Sequence, residues 1–283
     1  MASFTNFATL SYNGGTTNSN IVTGEILEAL TAVKTAVSAN YSAGDRITYA
    51  LSLVNTGTAA ITDYTVTDNL GGYTVGANTV YPLAYNAGTV RYYINGVLQA
   101  APTVTAGPPL TVTGLTVPAG GSAVLIYETT ATPFAPLATG SSITNTATIT
   151  GGGLTNPITA QATVDTANSA DLTISKALSP TTVTENGQIT YTFVISNTGN
   201  TEATATGNVV VTDTFAPILR NIAVTYNGTA WTEGTNYTYN AATGVFTTLA
   251  GQITVPAATF TQNTDGTFTV TPGTATLVIT GTV

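Results

Sequence analysis

Two kinds of side chain recur in this sequence at matching places where they could do chemistry together. The chain has only two lysines, Lys34 and Lys176, and each stands the same distance before an Ile-Thr-Tyr run. Each lysine is also followed by a Val-Thr-Asp run, which ends at Asp68 in the first case and at Asp213 in the second. Burial lowers the pKa of a lysine and raises that of a carboxyl, so both groups can become neutral in an apolar core. Each pair therefore predicts either a buried ion pair or a reactive amine beside a proton carrier.

An asparagine completes each set. The run Thr-Asn-x-Ala contains Asn145 at one place and Asn6 at another. A lysine, a carboxylate and an asparagine in an apolar core resemble the autocatalytic isopeptide sites of Gram-positive pilins and adhesins. The resemblance implies that a neutral lysine amine attacks the asparagine carboxamide while a protonated carboxyl polarises it. In the plainer interpretation the charged groups form an ion pair and the asparagine caps a turn or fixes a strand register.

The isopeptide interpretation predicts one bond within the chain and one between chains. The two sets are Lys34 and Asn145 with Asp68, and Lys176 and Asn6 of the next subunit with Asp213. Each bond would form once, so the chain is not expected to be an enzyme. The absence of histidine and cysteine removes the commonest general base and the commonest metal ligands. We expect neither a metal nor a cofactor.

These residues must be positioned by strands, because no helical periodicity persists anywhere in the chain. Gly44–Gly57 and Gly187–Gly199 each read as a strand that runs into Asn-Thr-Gly. Leu110–Tyr127 is matched in the same way with Phe268–Ile279. These matches divide the chain into two bodies that repeat each other. Glu25–Val37 is expected to be a strand, since the residues around Lys176 occupy the same place in the second body. Short strands at regular spacing predict an all-β protein of two tandem immunoglobulin-like β-sandwiches.

The repeated motifs carry a family resemblance. Lysine, Gly-x-x-Ile-Thr-Tyr, Asn-Thr-Gly, Val-Thr-Asp and Ile-Thr-Asn-x-Ala-Thr follow one another in this order. This string resembles the conserved repeat called domain of unknown function eleven, which is found in prokaryotic cell-surface proteins. The resemblance covers both bodies and implies an extracellular sandwich module without an enzymatic activity.

Two hairpins flank the first body. Phe4–Thr23 and Ile143–Val164 are both predicted to be strand, glycine-rich turn and strand. The second hairpin closes the first body, and a third copy would be due where the sequence stops at Val283. The expected division is therefore a donor hairpin over 1–24, a complete sandwich over 25–166, and a sandwich over 167–283 that lacks its last hairpin.

We expect the first hairpin to fill that gap in a neighbouring molecule, as in pilins completed by a donor strand. A head-to-tail contact of this kind makes an open filament. The predicted donor residues are Phe4, Phe7, Leu10, Ile21 and Val22, and the predicted acceptor edge is Leu277, Ile279 and Val283. In the alternative, residues 1–24 form an ordinary extra hairpin on the first sandwich or are disordered.

The composition narrows the function classes further. Only 6% of residues are charged and 43% are hydrophobic, which suits subunits whose surfaces are covered by other subunits. The net charge of −8 argues against nucleic acid, and no apolar run is long enough for a membrane helix. No secretion signal is visible at the N-terminus. We therefore expect a self-assembling structural protein at a cell or spore surface.

Two other functions stay open at this stage. The chain could be a non-polymeric adhesin or stalk module of a longer surface repeat protein. It could also be a carbohydrate-binding module, because tyrosines are frequent. Those tyrosines alternate with threonine at strand spacing, which favours core and cross-strand pairs over a binding platform.

Overall fold

The computed structural model describes residues 2–26 and 29–283, and for Ala2, Ser3, Glu25 and Ile26 it describes the backbone only. The prediction of an all-β, immunoglobulin-like architecture is confirmed. Every regular element in the described ranges is a β-strand except one short 3₁₀ helix, Ala205–Gly207. No helix there is long and apolar enough to cross a membrane.

The first residues form a hairpin whose strands pair only with each other within the described chain. Its strands are β1 (Ala2–Asn6), β2 (Thr9–Tyr12), β3 (Gly15–Asn18) and β4 (Val22–Ile26). Strand β1 pairs with β4, and β2 pairs with β3. The turn lies at Asn13 and Gly14, both of which have positive φ, as an Asn-Gly hairpin turn requires.

The first sandwich contains fourteen strands, by the numbering that continues along the chain. They are β5 (Leu30–Ala36), β6 (Asn40–Tyr41), β7 (Arg46–Asn55), β8 (Ile61–Asp68), β9 (Tyr73–Val75), β10 (Asn78–Val80), β11 (Leu83–Tyr85), β12 (Arg91–Ile94), β13 (Val97–Leu98), β14 (Thr103–Thr105), β15 (Leu110–Val117), β16 (Ser122–Ala131), β17 (Ser142–Gly151) and β18 (Ile158–Thr166). One sheet has the order β13-β12-β16-β7-β5, with β11 also on β16. The other has the order β14-β15-β8-β17-β18-β6.

The second sandwich repeats the first of these sheets. Its strands are β19 (Leu172–Ser179), β20 (Gln188–Asn197), β21 (Thr212–Thr214), β22 (Arg220–Tyr226), β23 (Thr229–Trp231), β24 (Tyr237–Asn240), β25 (Val245–Thr248), β26 (Thr259–Gln262), β27 (Phe268–Thr271) and β28 (Gly273–Thr282). The order β19-β20-β28-β22-β23 corresponds to β5-β7-β16-β12-β13. The second sheet is shorter, with the order β21-β25-β24, and β26 and β27 form a separate pair.

The alternation of buried and more exposed residues explains why these segments are strands with one face in a core. Residues of β7 and β20 are buried at every second position, as expected for a strand between a core and a more open face. The predicted strand over Glu25–Val37 is present as β5 over Leu30–Ala36 only. Glu25 and Ile26 belong instead to β4 of the hairpin, where they pair with β1, and residues 27 and 28 lie outside the described part. By contact density the chain divides into two units. One unit runs up to Ala135 and includes Ser142–Asp165, and the other contains Pro136–Ser141 and Thr166–Val283.

Two buried asparagines make equivalent hydrogen bonds and so show which residues of the two units correspond. Asn55 Nδ2 donates to the backbone carbonyl oxygens of Val117 and Pro118, at 3.4 and 3.0 Å. Asn197 Nδ2 donates in the same way to Val255 and Pro256, at 3.5 and 3.0 Å. The match is therefore between the Thr-Val-Pro-Ala runs at 116–119 and 254–257.

The predicted match of Leu110–Tyr127 with Phe268–Ile279 is thus wrong over its first half. Strands β26 and β27 lie between Pro256 and β28, where the first unit has only 119–121. They form an added hairpin, and the counterpart of β15 is β25 with the residues that follow it. Strand β28 does correspond to β16.

Candidate functional site

The lysine, aspartate and asparagine of the first unit come from both sheets. Lys34 lies on β5 in one sheet, whereas Asp68 on β8 and Asn145 on β17 lie in the other. All three point into the core between the sheets, and their exposed fractions are 4%, 1% and 0%. Burial of three polar residues in an apolar core is costly wherever a polar group is left without a hydrogen bond.

Asp68 is the centre of the hydrogen bonding. Lys34 Nζ lies 2.5 Å from Asp68 Oδ2, and the Tyr127 hydroxyl donates to the same oxygen. The backbone N–H of Leu70 donates to Asp68 Oδ1 at 3.0 Å. The Lys34 amine also lies 4.8 Å from the ring centroid of Tyr49 and 5.8 Å from that of Tyr127. The amine therefore sits in an aromatic enclosure with one carboxylate as its polar neighbour.

The surroundings shift the pKa of each of these groups so that its neutral form is favoured. Burial lowers the pKa of Lys34 to about 8, although the neighbouring Asp68 carboxylate opposes this shift. Burial also raises the pKa of Tyr49 and of Tyr127 above their usual value, and the charge of Asp68 adds to the effect. A neutral amine, the form that can act as a nucleophile, is thus far more accessible here than for a lysine in water.

Asn145 is the unusual member of the group. Its side-chain oxygen and nitrogen are both buried, and neither makes a hydrogen bond of ordinary geometry in the described part of the protein. The amide does lie close enough to the Tyr49 and Tyr127 hydroxyls to oppose the rise of their pKa values. An unpaired buried amide costs roughly 1–3 kcal/mol for each group left unsatisfied. The amide of Asn145 is therefore held in the core at a cost that packing alone does not explain.

The second unit has the same pair in a more open setting. Lys176 Nζ lies 2.5 Å from Asp213 Oδ2, and it lies 4.4 Å from the ring centroid of Tyr191. The side chains of Lys176 and Asp213 are 40% and 18% exposed, against 0% and 1% for Lys34 and Asp68. The second unit thus holds an amine and a carboxylate together but leaves them in contact with water.

The difference has a structural cause in the second sheet. In the first unit, β8 is hydrogen-bonded to β15 on one side and to β17 on the other. In the second unit, β21 pairs with β25, and no strand of the described residues pairs with its other edge. Only Thr212–Thr214 is regular strand there, whereas β8 spans Ile61–Asp68. The positions that β17 and β18 occupy in the first unit have no counterpart among 166–283.

The inward face of β19 is exposed as a result. Ile174 and Leu178, which alternate with Lys176 on that face, are 55% and 39% exposed. A cavity of about 620 Å³ lies beside it, and Leu178, Val183 and Tyr191 contribute to its lining. Apolar side chains of this size are normally covered, so this face is a candidate interface.

The predicted donor residues are exposed as well. Phe4, Phe7, Leu10, Ile21 and Val22 are between 54% and 65% exposed. Asn6, at the end of β1, is exposed and lies opposite Val22. The structure therefore places Asn6 on a hairpin that makes no strand pairing with either sandwich within the described residues.

The predicted acceptor edge at Leu277, Ile279 and Val283 is wrong. Leu277 and Ile279 lie on β28, which is hydrogen-bonded to β20 on one side and to β22 on the other. Both side chains are completely buried, and the backbone N–H of Val283 donates to Gly187. The last strand in the sequence is central in its sheet, and the free edge belongs to β21.

Sequence reasoning missed the aromatic part of the site. Tyr127 donates to Asp68, and Tyr49 packs beside it with ring centroids 5.8 Å apart. Tyr49 ends the Ile-Thr-Tyr run that located the lysine, and Tyr49 lies directly opposite Tyr127 in the β7–β16 pairing. The run was a usable signal for Tyr49, but the partner of Asp68 depended on the pairing of distant strands.

Comparison with known proteins gives likenesses in fold. No family model matches the chain, so the resemblance to domain of unknown function eleven stays a prediction. No curated protein matches either. Among solved structures, the pilus backbone RrgB of Streptococcus pneumoniae is similar at 14% identity and a TM-score of 0.36, over 86% of this chain and 55% of that one. The major pilin subunit BcpA of Bacillus cereus is similar at 14% identity and a TM-score of 0.35, over 96% and 73%.

A third likeness is to an adhesin. The N-terminal domain of the Streptococcus gordonii adhesin Sgo0707 is similar at 14% identity and a TM-score of 0.36, over 48% of this chain. The match spans about a third (32%) of that structure. These likenesses concern the all-β fold.

The two aspartates should differ in their effect on stability. We expect Asp68→Ala to lower the free energy of unfolding of the first unit by about 3–5 kcal/mol, because it leaves the buried Lys34 amine, the Tyr127 hydroxyl and the Leu70 N–H without their acceptor. Asp213→Ala should cost the second unit about 0–1 kcal/mol, because solvent screens the exposed Lys176 amine. Urea unfolding followed by the fluorescence of each unit measures both, and equal losses would contradict the difference in burial.

The stability of the first unit should also depend on pH in a way set by Lys34. In the unfolded chain this lysine keeps its proton up to about 10.5, but in the folded protein it releases it near 8. Between these values the unfolded state binds more protons, so stability should rise with pH from about 8. Tyrosines of the unfolded chain ionise at a pH of about 10, whereas burial keeps Tyr49 and Tyr127 protonated in the folded protein. The rise in stability should therefore end near that pH.

The measurement is the urea midpoint of the first unit between pH 7 and 10 in an Asn145→Ala background, which keeps the Lys34 amine free. Lys34→Met in that background should abolish the rise, and Lys176→Met should leave it intact. A flat profile with Lys34 present would show that burial does not shift its titration.

Proposed function

We propose that the chain is the structural subunit of an extracellular fibre. In this fibre the hairpin β1–β4 of one copy completes the second sandwich of the next. The observation that carries the proposal is the free edge of β21, which lies where the first unit holds the β17–β18 hairpin. An added hairpin would supply the missing ladder by β-augmentation.

The two surfaces complement each other in polarity and in pattern. Phe4 and Leu10 of the hairpin and Ile174 and Leu178 of β19 are apolar and exposed in the same structure. Docking would remove both sets from water, at roughly 25 cal/mol for each Å² of apolar area buried. It would also pair the backbone groups along the free edge, which otherwise present a template for aggregation.

Such a contact is heterologous, because the hairpin and the acceptor edge are different surfaces of one chain. A heterologous contact that does not close on itself builds an open filament. The low charge of the chain, 6% of residues, suits subunits that cover one another. The fibre would lie outside the cell, at a cell or spore surface.

We further propose that lysine–asparagine bonds lock this fibre. In the first unit, neutral Lys34 Nζ would form a bond to Cγ of Asn145, and the bond from Cγ to Nδ2 would break. Asp68 would take a proton from the amine and return it to the departing nitrogen, so that one ammonia leaves. The 2.5 Å contact of Lys34 with Asp68 and the unpaired amide of Asn145 support this chemistry.

The second unit would use the same chemistry between copies. Lys176 and Asp213 are already 2.5 Å apart. The asparagine would be Asn6 of the docked hairpin, which occupies the place of Asn145 in the Thr-Asn-x-Ala run. Docking would cover the Lys176 amine and give it the dry surroundings that Lys34 already has.

Electron microscopy of negatively stained protein tests the fibre, with two adjacent substitutions as a matched pair. Leu10→Asp should abolish fibres, because it would bury a carboxylate in the acceptor. Thr9→Asp, on the opposite face of β2, should leave fibres intact. Both residues are exposed in the free hairpin, so thermal unfolding of the two units should not change in either variant.

Compact particles from the unaltered chain would contradict the fibre and favour a non-polymeric adhesin or stalk module. A closed monomer, in which the hairpin fills its own chain, would give the same compact particles with Lys176 protected from acylating reagents. Binding of oligosaccharide by the compact form would favour a carbohydrate-binding module.

Intact mass in denaturant after boiling tests the bonds. We expect the first unit to lose the mass of one ammonia, and Asn145→Ala to abolish that loss while leaving a ladder of linked chains. Asn6→Ala should do the reverse, with the ladder lost and the internal bond kept. Unlinked chains of unaltered mass would show that the lysines form ion pairs only.

A further inference from the structure

We propose that the hairpin docks on β21 in one register, in which Ala8 of a second copy lies opposite Asp213, Thr9 opposite Thr212 and Leu10 opposite Val211. This inference rests on the hairpin exchange proposed above and adds the residue pairs that define the contact. The occupant is the first half of the hairpin of a second copy, residues 2–12, which contains β1 and β2 and is called its first strand below.

The register is transferred from the first unit, where the same interaction is made within the chain. There Ala147 lies opposite Asp68, Thr148 opposite Thr67 and Ile149 opposite Val66. The donor and β17 share the run Thr-Asn-x-Ala-Thr, so Ala8 corresponds to Ala147. The acceptors share Val-Thr-Asp, and the β8–β15 and β21–β25 pairings place Asp68 and Asp213 alike.

Alternation excludes a slip by one residue. Asn145, Ala147 and Ile149 all face the core, because every second residue of β17 is buried. In the transferred register Asn6, Ala8 and Leu10 take those inward places. A slip by one residue would turn Asn6 outward and place Thr5, Phe7 and Thr9 against the core, so it would gain one apolar contact but lose the amide and bury two threonines.

The lysine excludes a slip by two residues. Such a slip keeps the same face inward, but it moves every residue by about 7 Å along the strand. Asn6 would then leave the place of Asn145, whose amide lies beside Tyr49 and Tyr127, the tyrosines that contact Lys34 and Asp68. Only the transferred register brings an amide to Lys176 as the first unit brings one to Lys34.

The strand pairing of the hairpin departs from that of β17–β18 by one extra residue in its second strand. Between the pairs Asn6–Val22 and Thr9–Asn18, two residues of the first strand face three of the second. In β17–β18 the pairing is regular from Ser142 to Ile149. The bulge at 19–21 lies on the strand that does not touch β21, so the register of the first strand is unaffected.

The side-chain volumes also suit the second unit. Inward residues of β19 are Ile174 and Leu178, where β5 has Ala32 and Ala36 in the same alternation with the lysine. The donor makes room for these larger side chains, because it has a glycine, Gly24, opposite Phe4. The Phe4 ring lies across this glycine, where an added Cβ atom would be only 2.4 Å from the ring. In β17–β18 the corresponding pair is Ile143 and Val164.

Engineered cysteines test the register, since the natural chain has no cysteine. The variant Thr9→Cys with Thr212→Cys pairs residues directly opposite, about 4.5–5.5 Å apart at Cα, which is within disulfide reach. The matched control, Thr9→Cys with Thr214→Cys, keeps both cysteines on the outer face but two residues out of register. Fibres are assembled in reductant, checked by microscopy and then mildly oxidised.

We expect the first variant to lose at least tenfold more titratable thiol than the control. Leu10→Cys with Val211→Cys reports the same register from the inner face and covers a failure of the first variant to assemble. Fibres in which the control oxidises instead, or in which neither predicted pair oxidises, would overturn the register and leave the fibre standing. Absence of fibres in the unaltered chain would overturn the exchange itself.

Discussion

A β-strand edge with nothing beside it is the constraint around which this molecule is arranged. In the first sandwich β8 lies inside the second sheet, and it is a strand over Ile61–Asp68 with β15 paired on one edge and β17 on the other. In the second sandwich the same strand is reduced to Thr212–Thr214, with a partner on one side in the described chain. Unpaired backbone groups and uncovered apolar side chains at one place favour association with another strand.

The same constraint controls the chemistry of the lysines. The two lysine–aspartate pairs have equal contact distances, 2.5 Å, yet one amine is enclosed and the other is 40% exposed. Desolvation depends on what lies across the core from the amine. In the first unit that is β17 with Asn145, and in the second no strand of the described residues takes that place. A hairpin that completes the sheet would thus also complete the site, which links assembly to bond formation.

The hairpin and the acceptor have complementary features. One carries apolar side chains on strands that pair only with each other, and the other carries apolar side chains beside a strand that lacks a neighbour. Neither is explained by the stability of its own unit. The proposed contact between copies would account for both, and the Phe4 ring is already packed on Gly24 in the free hairpin.

The alternation of apolar and polar residues, together with the turn residues, was enough to determine the all-β class, the repeat and the two hairpins. A strand with one buried face can be recognised from neighbouring residues alone, because its side chains point alternately to the two faces. The repeated motifs also predicted the pairs that the structure contains, Lys34 with Asp68 and Lys176 with Asp213. Each motif lies on the corresponding strand of its unit, although the two lysine–aspartate separations differ, at 34 and 37 residues. The order of strands within a sheet is not local. The final strand, with Leu277 and Ile279, is central, and the free edge lies at β21 far earlier in the sequence. The hydroxyl of Tyr127 on Asp68 likewise came only from the tertiary structure, because a hydrogen bond across two sheets depends on how distant strands face each other.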